Sequence, residues 1–285
     1  MATTRVAVLG MGTMGAAMAR SLLRAQFEAT VWNRTAEKSK ALGEAGARVA
    51  SDPVDAVRDA DVVLTMLFDE PAVLNVAAEF LPAMPAGAIW MQSSTIGEEG
   101  MQAVGAAASM HGVVVVDAPV LGTKDPAEHA ALTVLASGDP HAVAALRPVF
   151  DAIGSRTIVV GEQLGAASDL KLVCNTWIAS LTAGTAQSLA LARTFGLDPA
   201  LFLDAIAGSA SDSPYAHVKG AVMLEGTRAP QFALDGLLKD LRLAQATASG
   251  ATPYLDGLEK LYAAESDAGH GRDDVAWVYD VIAAR

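Results

Sequence analysis

The chain has 285 residues, 52% of them apolar, and its 20 basic and 32 acidic side chains give a net charge of -12. That apolar content excludes a disordered chain, and the acidic balance argues against nucleic acid or an anionic membrane as partner, since phosphate repels an acidic particle. A single cysteine, Cys174, excludes an internal disulfide and a multi-cysteine metal site and points to a reducing compartment.

With domains of roughly 100–200 residues, the chain is long enough for two cores. The amino terminus runs directly into an apolar strand, without the regions of a secretory signal. Every apolar stretch is interrupted before the ~20 residues of a bilayer span, so the expected location is the cytoplasm.

In chain order, the first half alternates short β-branched runs with alanine-rich helical stretches, the pattern of a parallel sheet covered on both faces. Strands are predicted at Val6–Leu9, Ala29–Trp32, Val62–Thr65, Ile89–Met91, Val113–Val116, Leu132–Leu135 and, last, Ile158–Val160, with a helix from Ala16 to Leu23 after the first. From about Gln163 to Arg193 no proline intervenes, which predicts one helix about 45 Å long at ~1.5 Å per residue. Shorter helices are predicted at Leu201–Ala207, Leu237–Ala248 and Tyr254–Ala263, with Pro214, Pro230 and Pro253 as breakers. The tail Asp267–Asp274 reads as a solvated turn. The expected architecture is a Rossmann domain, residues 1–162, followed by an all-α domain, residues 163–285, joined by the long helix.

Gly10-Met11-Gly12-Thr13-Met14-Gly15 is a G-x-G-x-x-G run between a predicted strand and a predicted helix, the context in which it binds a dinucleotide. The first glycine permits the turn, the second lets backbone approach a pyrophosphate, and the third allows close helix packing. About 20 residues on, where an acid would bind a ribose 2′-hydroxyl, the chain has Asn33-Arg34-Thr35. A neutral Asn33 and the guanidinium of Arg34, with the Thr35 hydroxyl, favour the 2′-phosphate of NADP over NAD. The alternative leaves Arg34 in solvent and makes Thr35 a helix cap. Met66 and Leu67, after a predicted strand, would line the adenine or ribose pocket or else pack in the core.

The run from Val8 to Leu22 together with Asn33-Arg34-Thr35 resembles the 3-hydroxyacid dehydrogenase family, which includes 3-hydroxyisobutyrate dehydrogenases and glyoxylate or succinic semialdehyde reductases. Asp117-Ala118-Pro119-Val120 resembles the start of the family's substrate loop, Lys171 with Asn175 its catalytic helix, and Phe232–Leu241 its F-x-L-x(4)-K-D-L element, so the likeness spans roughly residues 5 to 245. It implies that Lys171 is the general acid of reduction and base of oxidation, that Thr95 sits beside the nicotinamide ribose, and that Lys239 approaches the cofactor, with Asp240 a structural partner. From spacing alone, Lys171 and Asn175 share one helix face, and a lysine partly desolvated beside a nicotinamide can exchange a proton. Asn175 would hold the substrate oxygen or orient the ammonium; from spacing alone the alternative is an exposed lysine and a helix-packing asparagine, against which the resemblance argues. Thr95 can equally cap the following helix, a role compatible with the first.

Two departures bear on the substrate. Many members continue the loop with a serine and two glycines that bind a carboxylate, whereas this chain has Leu121-Gly122-Thr123-Lys124. Gly122 keeps one approachable amide, Thr123 can supply a hydroxyl and Lys124 a charge, while Leu121 admits a bulkier substrate. Cys174 stands where the family often has asparagine and reads as packing. Trp177 and Phe232 are candidates for an aromatic pocket wall, with core packing, the usual place of large apolar helix residues, as the alternative. His111, His129, His141, His217 and His270 show no metal-ligand spacing, so no metal is expected.

The expected function is NADP-dependent interconversion of a small aldehyde or keto acid with its hydroxy acid, in a cleft between the domains of a homodimer or homotetramer, the helical domain pairing subunits in the family. An imine reductase of the same fold is the alternative, against which Lys171 argues, and a non-catalytic NADP-binding protein is the third.

Overall fold

The computed structural model describes residues 4–226, 230–249 and 252–283; the first three residues of the amino terminus lie outside them. The chain divides into two compact units, Met1–Lys171 and Leu172–Arg285.

The first unit is built on β1 (Arg5–Leu9), β2 (Glu28–Trp32), β3 (Arg48–Val49), β4 (Val62–Thr65), β5 (Ile89–Gln92), β6 (Val114–Asp117), β7 (Val120–Leu121), β8 (Leu132–Gly138) and β9 (Gly154–Gly161). Among the described residues they form one sheet in the order β3-β2-β1-β4-β5-β6-β8-β7, with β9 on β8. The strands from β3 through β6 pair in parallel; β8 runs antiparallel to β6 and β7 and parallel to β9. The chain steps from β1 outward to β2 and β3, then returns to lay β4 on the other side of β1. That reversal opens a crevice at the carboxyl ends of β1 and β4, where doubly wound sheets bind ligands.

Helices α1 (Thr13–Arg24), α2 (Glu37–Glu44), α3 (Pro53–Val57), α4 (Glu70–Phe80), α5 (Gly97–Ser109), α6 (Lys124–Glu128), α7 (Pro140–Ala145) and α8 (Arg147–Ile153) belong to this unit. Strand residues alternate between two buried layers: Val6 and Val8 pack with Met18, Leu22 and Phe150, while Ala7 and Leu9 pack with Phe80, Trp90 and Met101. Burial on both faces is why these strands read as continuous apolar runs.

α9 (Ala166–Thr194) starts in the first unit and continues through the second, which also holds α10 (Ala200–Ile206), α11 (Pro214–Glu225), α12 (Leu234–Thr247), α13 (Pro253–Glu265) and α14 (Val278–Ala283). Ala179, Ala183, Ala186 and Leu189 of α9 pack against Leu237, Leu241, Tyr262 and Val278. The small side chains let the helices approach, and the Tyr262 hydroxyl donates to the Ala179 carbonyl at 3.1 Å. No helix of the described residues is long and apolar enough to cross a membrane.

β3 and β7 are absent from the predicted series, because at two residues each they are too short to show a period. Two expectations are corrected. Pro214 and Pro253 open helices rather than break them, because proline in the first turn lacks only an N–H that has no intrahelical acceptor. The tail is no solvated turn: residues 266–270 form a π turn, and Gly271 and Asp273 carbonyls accept from Asp235 and Leu234 at 2.9 Å each, fixing the start of α12.

Candidate active site

Gly10, directly after β1, has φ +108°, and a Cβ there would lie 2.2 Å from the Met66 carbonyl oxygen. A Cβ on Gly15 would lie 1.9 Å from the Gly10 oxygen, whereas one on Gly12 would meet nothing within 4 Å. Gly10 and Gly15 therefore close the turn, and Gly12 faces open space. α1 begins at Thr13 with no side-chain cap, so its first amides point outward without intrahelical acceptors. Positive helix end, bare backbone and exposed Thr13 together fit a pyrophosphate. Met11 is buried and its amide donates to Asn33 Oδ1 at 2.9 Å; Met14 is half-buried against the core.

Asn33 thus ties the end of β2 to the glycine turn, and its Nδ2 also donates to the Thr35 carbonyl at 3.0 Å. Arg34 and Thr35 are exposed, and among the described residues no salt bridge involves Arg34. The cap position of α2 is Ala36 and carries no side-chain cap bond, so the Thr35 hydroxyl is not its cap.

At the ends of β4 and β5, the Leu67 amide donates to Ser94 Oγ at 2.8 Å and the Trp90 indole to Thr65 Oγ1 at 2.9 Å. Gln92 bridges Thr65 and Ser94, setting the loop that carries Thr95. Met66 and Leu67 are half-buried beneath the glycine turn. Thr95 is half-buried and precedes Ile96, the cap position of α5, whose own side chain makes no cap bond.

The first turn of α9 is capped from a distance. Asp117, fully buried at the end of β6, accepts from the Ser168 amide and hydroxyl at 2.8 Å each; Ser137 of β8 accepts from the Ala167 amide at 3.0 Å. Burial, outweighing these bonds, pushes the Asp117 carboxyl up to about 6. Lys171 follows Ser168 by three residues, so a buried polar cluster sets the rotation of the helix turn that presents it. Asp117, the first residue of the expected substrate loop, also anchors the helix that carries Lys171.

One turn further on, Asn175 is 3% exposed and its Nδ2 donates to Asp240 Oδ2 at 2.5 Å. The nitrogen must face the carboxylate, because two acceptor oxygens would repel. The other Asp240 oxygen accepts from Lys239 Nζ at 2.6 Å. With the amide held, Asn175 presents its carbonyl oxygen and one remaining N–H in a fixed direction, suited to a hydroxyl, an ammonium or a carbonyl. Cys174, half-exposed, lies three residues beyond Lys171.

Gly122 has φ +128°, and a Cβ there would fall 2.7 Å from Leu132 Cδ2 and 3.1 Å from Pro126 Cβ. The turn therefore requires glycine, and it leaves half-buried Leu121 and Thr123 and exposed Lys124 around an accessible backbone.

Residues 5–161 match the NAD-binding domain of 6-phosphogluconate dehydrogenase, and residues 165–282 match the NAD-binding family of NADP-dependent 3-hydroxyisobutyrate dehydrogenase. The chain belongs to the 3-hydroxyacid dehydrogenase family. Glyoxylate/succinic semialdehyde reductase 2, chloroplastic, of Arabidopsis thaliana is 31% identical over 99% of this chain and 80% of its own. The structure of 3-hydroxyisobutyrate dehydrogenase from Salmonella typhimurium superposes with a TM-score of 0.90 at 27% identity, covering 98% of this chain and 99% of that one. An imine reductase from Myxococcus stipitatus, 24% identical with a TM-score of 0.68 over 96% and 98% of the chains, shares the fold.

As a member of the 3-hydroxyacid dehydrogenase family the protein is an NAD(P)-dependent oxidoreductase of the hydroxyacid dehydrogenase and reductase group. Within that frame one expectation fails. Trp177 is 62% exposed and, at about 100° per residue, lies some 240° round α9 from Lys171, so it cannot form a wall on the lysine's face. Phe232 is half-buried against the helical core and lies 3.2 Å from where a Gly236 Cβ would be. Asp117, Ser137 and Ser168 went unmarked as a cluster because their partnership spans three distant segments.

Proposed function

We propose that this protein is an NADP-dependent reductase of small carboxylate-bearing aldehydes or keto acids, reversibly forming the hydroxy acid. The observation that carries the reading is Lys171, set by the capped start of α9 on the same face as the Asp240-held Asn175. NADP preference is supported by the neutral Asn33 already engaged in the loop and by exposed Arg34, whose guanidinium fork suits a 2′-phosphate. Gly10–Gly15 would hold the pyrophosphate, Met66, Leu67 and Thr95 would line the ribose and nicotinamide, and Lys239 would add a cation toward the cofactor.

When bound, the reduced nicotinamide supplies a hydride to the carbonyl carbon. As the C=O electron pair moves onto oxygen, the Lys171 ammonium gives up a proton to it, and solvent reprotonates the amine; in oxidation the neutral amine takes the hydroxyl proton. The Asn175 amide orients that oxygen. Gly122, Thr123 and Lys124 bind the carboxylate, and Leu121 shapes the space beside it. Replacing Lys171 by alanine should cut kcat/KM about a thousandfold while NADPH binding stays within about twofold; full turnover in that variant would remove the acid-base role.

A homodimer is part of this reading. Val173, Trp177 and Leu191 of α9 and Phe195, in the turn that continues it, are 43–70% exposed and lie within about 40° of one another around the helix axis, away from Lys171. Gly184 lies midway along this stripe with open space at its Cβ position. A second copy crossing antiparallel at Gly184 would set Val173 and Trp177 against its Phe195 and Leu191, the self-complementary arrangement of a two-fold interface.

A further inference from the structure

The substrate loop is held by one face of α1. Arg20 reaches both carboxylate oxygens of Glu128, Nε to Oε2 at 2.8 Å and the other nitrogen to Oε1. Buried Ser21 donates to the Ala127 carbonyl at 2.8 Å, and Arg24 donates to the Glu128 carbonyl and to Ser21 Oγ. Arg20 and Glu128 side chains are only 35% and 23% exposed, so water competes weakly for the fork. The Arg20 hydrogen bond, ahead of its charge, holds the Glu128 carboxyl below the usual carboxylate range.

The loop needs such a hold. α6 has five residues and no side-chain cap at its start, too little to persist as an independent helix. It is flanked by two residues in the left-handed region, Gly122 and Ala130, the second with a Cβ that disfavours it. α1 is also the helix whose uncapped first turn and Gly12 form the pyrophosphate cradle, so one rigid element carries that cradle at its start and the loop's anchor further along.

We propose that Glu128, through Arg20, is a positioning residue that sets Gly122, Thr123 and Lys124 for the substrate carboxylate by docking their loop on the cofactor helix. The inference rests on the carboxylate-substrate reading above. In the full-length protein, Glu128→Gln and Arg20→Met should each raise the KM for a carboxylate aldehyde about tenfold, with kcat and the NADPH Kd within about twofold. The double variant should be no worse than either single one, since both remove the same interaction. Amide hydrogen exchange across residues 122–131 should quicken in Glu128→Gln at saturating NADPH. If either variant fails to fold, Glu128→Asp and Ser21→Ala carry the same measurements. An unchanged KM, a parallel loss of NADPH affinity, additive single effects or unchanged exchange would overturn the proposal. Absence of wild-type turnover on every carboxylate substrate would sink the functional reading instead, and the exchange experiment would then decide the docking alone.

Discussion

Asp240 accepts the Asn175 amide at 2.5 Å, joining α12 to α9, while its second oxygen takes the Lys239 ammonium at 2.6 Å. One carboxylate thus orients an amide one turn from Lys171 and restrains a neighbouring cation. Asn175 is almost wholly buried, so the bond is sheltered from solvent and stronger than a surface contact of equal length.

Replacing Asp240 by asparagine keeps the shape but removes the charge that both partners share. kcat/KM for the carbonyl substrate should fall by about ten- to a hundredfold, and combining the change with Asn175→Ala should cost little more than the worse single variant. Steady-state kinetics on the four proteins checks this; simple additivity would show that the two side chains act separately.

The fold was readable where a segment carries its own pattern. Val6–Leu9 followed by the glycine run announces strand, turn and helix within eleven residues, from Val6 through Ala16, and the proline-free stretch before Thr194 announces α9. Pairs made only by tertiary packing were not readable: Asp117 and Ser168 lie 51 positions apart, Asn175 and Asp240 65, Arg20 and Glu128 108, and no local period marks them. Trp177 misled because a large apolar helical residue reads as core or pocket, and only the helix's rotation shows that it faces outward.

Exposed Arg34 is the residue on which the cofactor preference turns. Arg34→Ala should lower kcat/KM for NADPH by about ten- to a hundredfold, the worth of a charge-assisted fork, and leave NADH within about twofold. Initial rates against each cofactor decide it, and equal losses with both would show that Arg34 does not read the 2′ position.

The Asp117 carboxyl stands at about 6 in the folded chain against its ordinary 3.8. With the folded value raised, the protonated form favours folding: the contribution is fully present below 3.8 and is lost as pH rises through about 6. Urea melts should therefore show the stability of the wild type, relative to Asp117→Asn, declining by on the order of 2–3 kcal/mol between pH 4 and pH 8. Parallel profiles for the two proteins would contradict this.

Trp177→Glu places a charge in the centre of one half of the exposed α9 stripe. Light scattering on a sizing column should give the wild type at least twice the chain's 29.3 kDa and the variant a single chain's mass, with the helical circular dichroism retained. A monomeric wild type, or a variant that still associates, would remove the two-fold interface on this face.

The most direct measurement is cofactor oxidation by the purified protein, with NADPH and NADH in turn, against glyoxylate, succinic semialdehyde and a set of cyclic imines. NADPH-dependent turnover of at least one of the carboxylate aldehydes is expected, with slower rates for NADH and no imine reduction. Reduction of imines with both carboxylates inert, or a preference for NADH, would contradict that expectation.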